Sequence, residues 1–248
     1  MINVAIDAAR TAGDLAYSYF RKNLKVRYKG DNSPVTIADI EAEKLIRKLI
    51  TKNFPSHGII GEELENVNPK AKYQWVIDPI DGTRNHIRNL PYWMTLIAVL
   101  EYGKPIIGIC YCPCQKELFS TQKGKGTFQN SKKVKVSAVK KLTDAYISHN
   151  NLKHFIDATK QNNLLSLSRQ VFQTVNFSSF GITYLFKGTV ESFISAKGKI
   201  WDYAALAILT EEAGGKFSDF SGNYNLNSGN AIFSNGLLHK KIVKILSE

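Results

Sequence analysis

The sequence predicts an α+β protein in which two helices precede a block of strands and alternating elements follow. Apolar residues recur at the helical period over 4–20 and again over 38–50. Strand-like runs follow at 94–100, 106–111 and 117–121, separated by short segments rich in Gly, Pro and charge. These three runs predict an antiparallel meander.

Beyond about residue 140 the predicted helices and strands alternate. The helix over 202–213 is the strongest, because Gly214-Gly215 is typical of a helix C-terminus. No repeat, low-complexity tract or long linker interrupts the chain, so we expect two stacked lobes, over 1–140 and 141–248. The other predicted elements are strands at 144–149, 190–195, 216–219 and 230–234 and helices at 151–161, 180–187 and 236–246.

Length and composition indicate a globular protein with a sizeable core. The chain has 248 residues, of which 44% are hydrophobic and 22% charged. No apolar run approaches the roughly 20 residues that span a bilayer. The N-terminal residues lack the basic start and apolar block of a secretory signal, so we expect a cytoplasmic protein with no membrane partner.

The three cysteines, Cys110, Cys112 and Cys114, alternate along one predicted strand. On a strand they would point to the same face. Their spacing matches no usual zinc pattern, and no nearby histidine completes one. We interpret them as small buried residues at a strand end, which is consistent with a reducing compartment.

A net charge of +12 suggests contact with nucleic acid or with an anionic substrate. The lysines, however, are scattered, and the densest cluster, over 132–135, alternates with an apolar residue like the solvated face of an edge strand. A nucleic-acid partner is therefore not expected. A general attraction for phosphate esters is compatible with this charge.

The most informative segment is 78–83, which reads Asp-Pro-Ile-Asp-Gly-Thr and follows a strand-like apolar run. The chain must turn sharply here, because Pro79 fixes φ and Gly82 permits conformations closed to other residues. Asp78 and Asp81 can then converge beyond the strand end, where they repel each other unless a proton or cation lies between them. The segment predicts either a divalent metal site beside a phosphate pocket or an ordinary Asp/Gly turn.

Other segments supply partners for such a site. Glu62 also follows an apolar run, although a solvated loop carboxylate is the alternative. Asp202 and Asp39 each lie at the start of a predicted helix, where capping is the alternative role. Gly82 and Thr83 offer backbone N–H groups to an anion, and the Thr83 hydroxyl could orient water. Magnesium prefers oxygen ligands, and a pair of such ions suits the in-line displacement of a phosphate ester.

Four motifs occur in order along nearly the whole chain. They are Asp31-x-Ser33-Pro34-Val35-Thr36-x-Ala38-Asp39, Pro55-Ser56-His57-Gly58-Ile59-Ile60-Gly61-Glu62-Glu63, Trp75-Val76-Ile77-Asp78-Pro79-Ile80-Asp81-Gly82-Thr83-x-Asn85, and Trp201-Asp202-x-Ala204-Ala205 through Glu212-Ala213-Gly214-Gly215. In these motifs the chain resembles the inositol monophosphatase family of Mg²⁺-dependent, lithium-sensitive phosphatases. The resemblance implies an α-β-α-β-α sandwich of the inositol monophosphatase and fructose-1,6-bisphosphatase type, and usually a homodimer.

The same resemblance implies roles for individual residues and two or three magnesium ions in the site. Two amides would hold the phosphate, and three side chains would polarise the attacking water. The implied metal ligands are Glu62, Asp78, the Ile80 carbonyl, Asp81 and Asp202; the implied catalytic residues are Glu62, Thr83 and Asp39; the implied phosphate-binding amides are those of Gly82 and Thr83.

The residues that would contact the alcohol differ from the inositol-specific pattern. Those enzymes carry Gly-Ser-Ala-Ala some 25 residues before the Trp-Asp pair, whereas this chain has Asn-Phe-Ser-Ser over 176–179. Ser195 stands where they place a glutamate that binds ring hydroxyls. Losing that carboxylate removes a charge-assisted acceptor for a polyol. Inositol 1-phosphate is therefore not the leading candidate.

The segment 83–96 instead resembles the histidinol-phosphate phosphatase branch, and histidinol phosphate is the leading predicted substrate. That branch should offer an acidic residue to the substrate ammonium, but Ser178 and Lys197 lie in the corresponding stretch. Lys197 could attract a second anionic group, as in a sugar bisphosphate or a 3′-nucleotide, or face solvent. Arg84 and Arg88 could likewise screen a phosphate or face solvent. The non-enzymatic alternative is binding to RNA or the transcription machinery, which no aromatic-interleaved basic stripe supports.

Overall fold

The computed structural model describes all 248 residues, which form helices, strands and one short 3-10 helix at Leu142–Asp144. The helices are α1 Ile2–Tyr19, α2 Ile37–Asn53, α3 Thr83–Ile87, α4 Leu152–Asp157, α5 Gln161–Ser168, α6 Ile182–Phe186, α7 Ile200–Glu212 and α8 His239–Ser247. The strands are β1 Arg27–Tyr28, β2 Pro34–Val35, β3 Gly58–Gly61, β4 Tyr73–Asp81, β5 Met94–Glu101, β6 Lys104–Cys112, β7 Glu117–Gln122, β8 Thr127–Gln129, β9 Lys132–Val134, β10 Tyr146–His149, β11 Gln173–Val175, β12 Ser192–Ser195, β13 Lys216–Ser218 and β14 Ala231–Ser234.

The larger sheet has seven strands in the order β3-β4-β5-β6-β7-β8-β9. Strand β3 runs parallel to β4, and every other neighbouring pair is antiparallel. Strands β5, β6 and β7 form the predicted meander. Alternate side chains of β5 enter different cores, with Leu96 and Leu100 on one face and Ile97 and Val99 on the other. Both faces of this sheet are therefore covered.

Helices α1 and α2 cover one face, and α7 covers the other. In α1 the residues that face the sheet are small, and Ala5, Ala8 and Ala12 are fully buried, so the helix lies close to the strands. Every residue of α7 from Tyr203 to Thr210 is buried, because this helix lies between two sheets. Gly108 of β6 permits the close approach, since a Cβ atom there would lie 2.7 Å from the Ala205 carbonyl oxygen.

The second sheet has five strands in the order β11-β10-β12-β14-β13. Strand β10 runs parallel to both neighbours, whereas β14 is antiparallel to β12 and β13. Helices α4, α5 and α8 pack on its outer face through a separate apolar cluster that includes Phe155, Leu167 and Ile242. The layers thus follow the order α-β-α-β-α, which confirms the expected sandwich. Helix α7 packs against both sheets, so the layers themselves mark no boundary at residue 140. The division into two lobes there stays a prediction.

Several predicted elements differ in detail. The helix expected over 151–161 is shorter than predicted: α4 covers only Leu152–Asp157, and Thr159, which has a left-handed φ of 54°, lies just beyond its end. Helix α5, Gln161–Ser168, was not predicted. Strand β11 was not predicted. Cys110 and Cys112 share one face of β6 as expected, but Cys114 lies beyond the strand and packs toward the opposite core, so the single-face prediction is wrong for it. None of the helices is both long and apolar enough to cross a bilayer.

A buried histidine links the last two strands to α8. The Nε2 atom of His239 lies 2.9 Å from Ser218 Oγ, and its Nδ1 atom lies 2.8 Å from Ser234 Oγ. Because Ser218 Oγ donates to the Asp219 carbonyl, it accepts from Nε2–H, which leaves Nδ1 to accept from Ser234. These partners suit the neutral ring, and burial lowers the pKa of His239 to about 4.

We expect this histidine to make the fold sensitive to acid. The pKa of His239 is lower in the folded chain than the ordinary 6.5. Its contribution to the free energy of unfolding is therefore complete above pH 6.5 and is lost as the pH falls toward about 4. At about 1.36 kcal/mol per pKa unit, the loss approaches about 3 kcal/mol. Urea unfolding of wild type and His239→Gln from pH 7 to 4 measures it. Equal pH dependence in the two proteins would contradict this role.

Candidate active site

Two acidic residues of the site lie at the C-terminal end of β4. The pairing of β4 with β5 shifts register between Asp78 and Asp81, so the two carboxylates project from an irregular strand end. Gly82 follows with φ of 101°, and a Cβ atom there would lie 3.0 Å from the Tyr92 carbonyl oxygen. A residue with a side chain would be strained at this position. The predicted sharp turn is present.

The third acidic residue comes from the second half of the chain. Asp202 lies in the first turn of α7, where its carboxylate accepts a hydrogen bond from the Lys199 backbone N–H. One carboxylate oxygen from each of Asp78, Asp81 and Asp202 lies within 4.8 Å of the others. The capping role considered for Asp202 is therefore real and compatible with a role in the acidic cluster.

The cluster is electrostatically unfavourable in the bare chain. Burial and the charge of Glu62 raise the pKa of Asp78 well above its usual range, and burial together with the Asp81 charge does the same for Asp202. Burial raises the pKa of Asp81 to about 7. Its Oδ2 atom is buried and has no hydrogen-bond partner. Three clustered carboxylates, of which those of Asp78 and Asp81 are buried, with an unpartnered oxygen fit a hard divalent cation such as Mg²⁺, which prefers oxygen ligands.

Glu62 lies just beyond the end of β3, with its Oε1 atom 2.7 Å from Lys29 Nζ. The same ammonium lies 2.8 Å from Glu63 Oε1. Burial raises the pKa of Glu63 to about 7, and the charge of Glu62 adds to the shift. Burial acts to lower the pKa of Lys29, but attraction to Glu62 and Glu63 outweighs it and raises the pKa. The position of Lys29 in the site could not be predicted from the sequence, because lysines are common along this chain.

A second set of contacts holds the backbone after Glu62. The Glu43 carboxylate of α2 accepts from the backbone N–H groups of Glu63 and Leu64 and from Arg47 Nε, at 2.8, 3.2 and 2.8 Å. Glu43 is fully buried. It therefore fixes the loop that presents Glu62 to the cavity. The acidic start of α2 was visible in the sequence, but this long-range partner was not.

Thr83 and Asp39 form a buried pair beside the cluster. Thr83 Oγ1 lies 3.0 Å from Asp39 Oδ1 and 3.1 Å from the Ile80 carbonyl oxygen. The other Asp39 oxygen accepts from Thr36 N–H and Oγ1–H at 2.8 and 2.6 Å. Asp39 thus caps α2 and also contacts Thr83, so the capping role is present and the catalytic role stays a prediction. When Thr83 donates to Asp39, its oxygen can accept a hydrogen bond from water.

Asp81 and Asp202 of the cluster line a cavity of about 800 Å³. Most lining residues are polar or charged. Of the predicted substrate contacts, Arg84, Ser178 and Lys197 line the cavity, whereas Arg88 is exposed and does not. Lys199 also lines it, and no carboxylate forms an ion pair with Lys197, Lys199 or Arg84. Asp31 is a further lining residue, so this side of the cavity carries three cations and one carboxylate and is net cationic.

The layered fold, with clustered carboxylates in the wall of a polar cavity, is the arrangement of a metal-dependent phosphate ester hydrolase. A sequence model of the inositol monophosphatase family matches residues 1–248, and the chain belongs to this family. Its members generally depend on Mg²⁺. Because the chain belongs to this family and is similar to histidinol-phosphatases, it is a phosphoric monoester hydrolase.

Similar proteins carry different functional names. A histidinol-phosphatase of Streptomyces coelicolor is 34% identical over 91% of this chain and 88% of its own length. A fructose-1,6-bisphosphatase/inositol-1-monophosphatase of Thermotoga maritima is 32% identical over 100% of this chain and 96% of its own. The crystal structure of the extragenic suppressor protein suhB of Bartonella henselae matches with a TM-score of 0.92 at 29% identity, covering 99% of this chain and 98% of that one.

The acidic cluster yields a prediction that does not depend on activity. Asp78→Asn keeps the oxygen that accepts from the Ile80 N–H but removes one like charge. In a chelator we expect its Tm to exceed that of wild type by about 3 °C, since about 1 kcal/mol shifts Tm by 2–4 °C in a chain of this size. Excess Mg²⁺ should raise the Tm of wild type much more than that of the variant.

Thermal unfolding with and without Mg²⁺ measures both effects. The exposed residue Asp7 supplies the control, because Asp7→Asn also removes one carboxylate but lies outside the cluster. If Asp78→Asn is less stable than wild type without metal and still gains as much stability from Mg²⁺, the cluster is not the cation site.

Proposed function

We propose that the protein is a Mg²⁺-dependent phosphomonoesterase that hydrolyses a small soluble phosphate ester. The supporting observation is the convergence of Asp78, Asp81 and Asp202, with one buried carboxylate oxygen left unpartnered. These three carboxylates, Glu62 and the Ile80 carbonyl would hold two or three ions. Bound Mg²⁺ would supply Lewis-acid chemistry at the phosphate and favour ionisation of a water nucleophile.

The chain's own residues would align the reactants. Thr83 donates its hydroxyl hydrogen bond to Asp39, so that the Thr83 oxygen can accept a hydrogen bond from the attacking water and orient it. Glu62 would assist in polarising that water. The N–H groups of Gly82 and Thr83 lie at the turn beside the cluster and would bind phosphate oxygens. Lys29, held by Glu62 and Glu63, adds a positive charge to the cavity wall.

Loss of a single carboxylate should abolish this activity. We expect Asp81→Asn to lower kcat/KM about a thousandfold, because a metal contributes several kcal/mol and about 1.36 kcal/mol corresponds to tenfold. Phosphate release from phenyl phosphate in Mg²⁺ measures it, and circular dichroism verifies the fold. Retained turnover in the variant would show that the ligand assignment is wrong, and the absence of turnover of any monoester by wild type would refute the proposed activity.

We propose histidinol phosphate as the first substrate to test. The similarity of the 83–96 segment to the histidinol-phosphate phosphatase branch supports it, as do similar proteins of that name. Ser195 also argues against a polyol such as inositol, because its hydroxyl already donates to the Lys197 carbonyl at 2.9 Å. Assembly as a homodimer and residence in the cytoplasm stay predictions.

The cationic side of the cavity favours a second candidate, a doubly anionic ester such as a sugar bisphosphate or a 3′-nucleotide. Lys197, Lys199 and Arg84 line this side without a carboxylate partner. An amine such as histidinol would meet like charges there, whereas a second phosphate would bind favourably.

A charge substitution separates the two candidates. If the substrate is doubly anionic, Lys197→Met should raise KM for fructose 1,6-bisphosphate about tenfold, since hydrogen bonds between charged groups contribute about 1.5–3 kcal/mol. If it is histidinol phosphate, the KM should be unchanged or lower. Steady-state kinetics on both esters measures this, with the exposed-lysine variant Lys240→Met as control. Equal effects of the two lysine substitutions would show only a general charge effect.

A further inference from the structure

One buried asparagine connects the segments that surround the alcohol side of the cavity. Asn150 directly follows β10, is 5% exposed and lines the cavity. It lies on the wall formed by the second sheet and is not part of the acidic cluster. Sequence analysis did not single it out, because its contacts come from residues distant in the chain.

The side chain of Asn150 binds the loop between β12 and α7 through both ends of its amide. Its Nδ2 atom donates to Ser195 Oγ at 2.8 Å and lies 3.3 Å from the Lys197 carbonyl oxygen. Its Oδ1 atom accepts from the Ala196 N–H at 3.3 Å. An aspartate has the same shape but no donor, so it would place a carboxylate against the Lys197 carbonyl.

Two further segments meet at the same residue. Asn150 Nδ2 lies 3.1 Å from His154 Nδ1 of α4. The Asn150 carbonyl oxygen accepts from Asn176 Nδ2 at 3.3 Å, and Asn176 Oδ1 in turn accepts from the Ser178 N–H at 2.9 Å. The 195–197 loop, α4 and the 176–179 segment all line the cavity and are therefore held in one arrangement by a single side chain and its backbone carbonyl.

We propose that Asn150 is the positioning residue that determines which alcohol the site accepts. This inference rests on the proposed phosphatase function. The Asn150 amide donates to the Ser195 hydroxyl, and that hydroxyl donates to the Lys197 carbonyl. The Asn150 amide and the Ser195 hydroxyl are therefore both engaged and not free to bind a polyol. The Lys197 backbone is fixed, and Lys197 lines the cavity. The wall therefore selects alcohols that carry negative charge.

Kinetics of Asn150→Asp and Ser195→Ala test the proposal. For the ester that wild type uses best among inositol 1-phosphate, fructose 1,6-bisphosphate and 3′-phosphoadenosine 5′-phosphate, we expect Asn150→Asp to raise KM about tenfold with kcat within about threefold. A wild type that prefers histidinol phosphate, whose alcohol is cationic, would contradict the selectivity proposed for this wall. The kcat/KM for phenyl phosphate and inhibition by inorganic phosphate should stay unchanged, because neither molecule reaches this wall. Ser195→Ala should give part of the KM increase. The KM of the double variant should not exceed that of Asn150→Asp, because the two residues act through the same contact.

Asn235 provides a matched control. It is 3% exposed, and its side chain also bonds at both ends of its amide, to the 137–139 segment and to the Leu238 N–H, but it does not line the cavity. Asn235→Asp should lower Tm as Asn150→Asp does and leave every KM unchanged. An unchanged KM in Asn150→Asp, or an equal increase in Asn235→Asp, would overturn the positioning role. Failure of wild type on all esters, phenyl phosphate included, would instead refute the proposed function.

Discussion

Repulsion among the carboxylates of Asp78, Asp81 and Asp202 is the constraint on which the site depends. The first two project from the irregular end of β4, and the third begins α7, a helix buried between two sheets. Packing of α7 against both sheets offsets the electrostatic cost of bringing the carboxylates within 4.8 Å. The chain thus holds an arrangement that is unfavourable by itself, and a divalent cation would relieve it.

The local sequence predicted much of the fold and of this cluster. The 78–83 turn, the capping positions of Asp39 and Asp202 and the meander all follow from residue types at fixed spacing, which short-range physics determines. Lys29, Glu43 and Asn150 could not be predicted in this way, because their roles arise from contacts with residues 20 or more positions away. The positive φ of Thr159 could not be predicted either, because threonine rarely adopts this conformation.

Chemistry and selectivity occupy different parts of the molecule. The acidic cluster joins the first sheet to α7, whereas the alcohol wall is built from the second sheet and the loops that Asn150 connects. Similar proteins named for histidinol phosphate and for fructose 1,6-bisphosphate align over nearly the whole chain. If the wall selects the alcohol as proposed, changes there need not disturb the carboxylates, which is consistent with different functional names on one fold.

Anomalous diffraction from crystals soaked with Mn²⁺ tests the central claim most directly. Mn²⁺ shares the preference of Mg²⁺ for oxygen ligands and can be located by its anomalous signal. We predict at least one strong peak within coordination distance of Asp78, Asp81 and Asp202, and its disappearance in crystals of the Asp81→Asn variant. A strong Mn²⁺ peak elsewhere in the protein, with no anomalous density among these three carboxylates, would contradict the account.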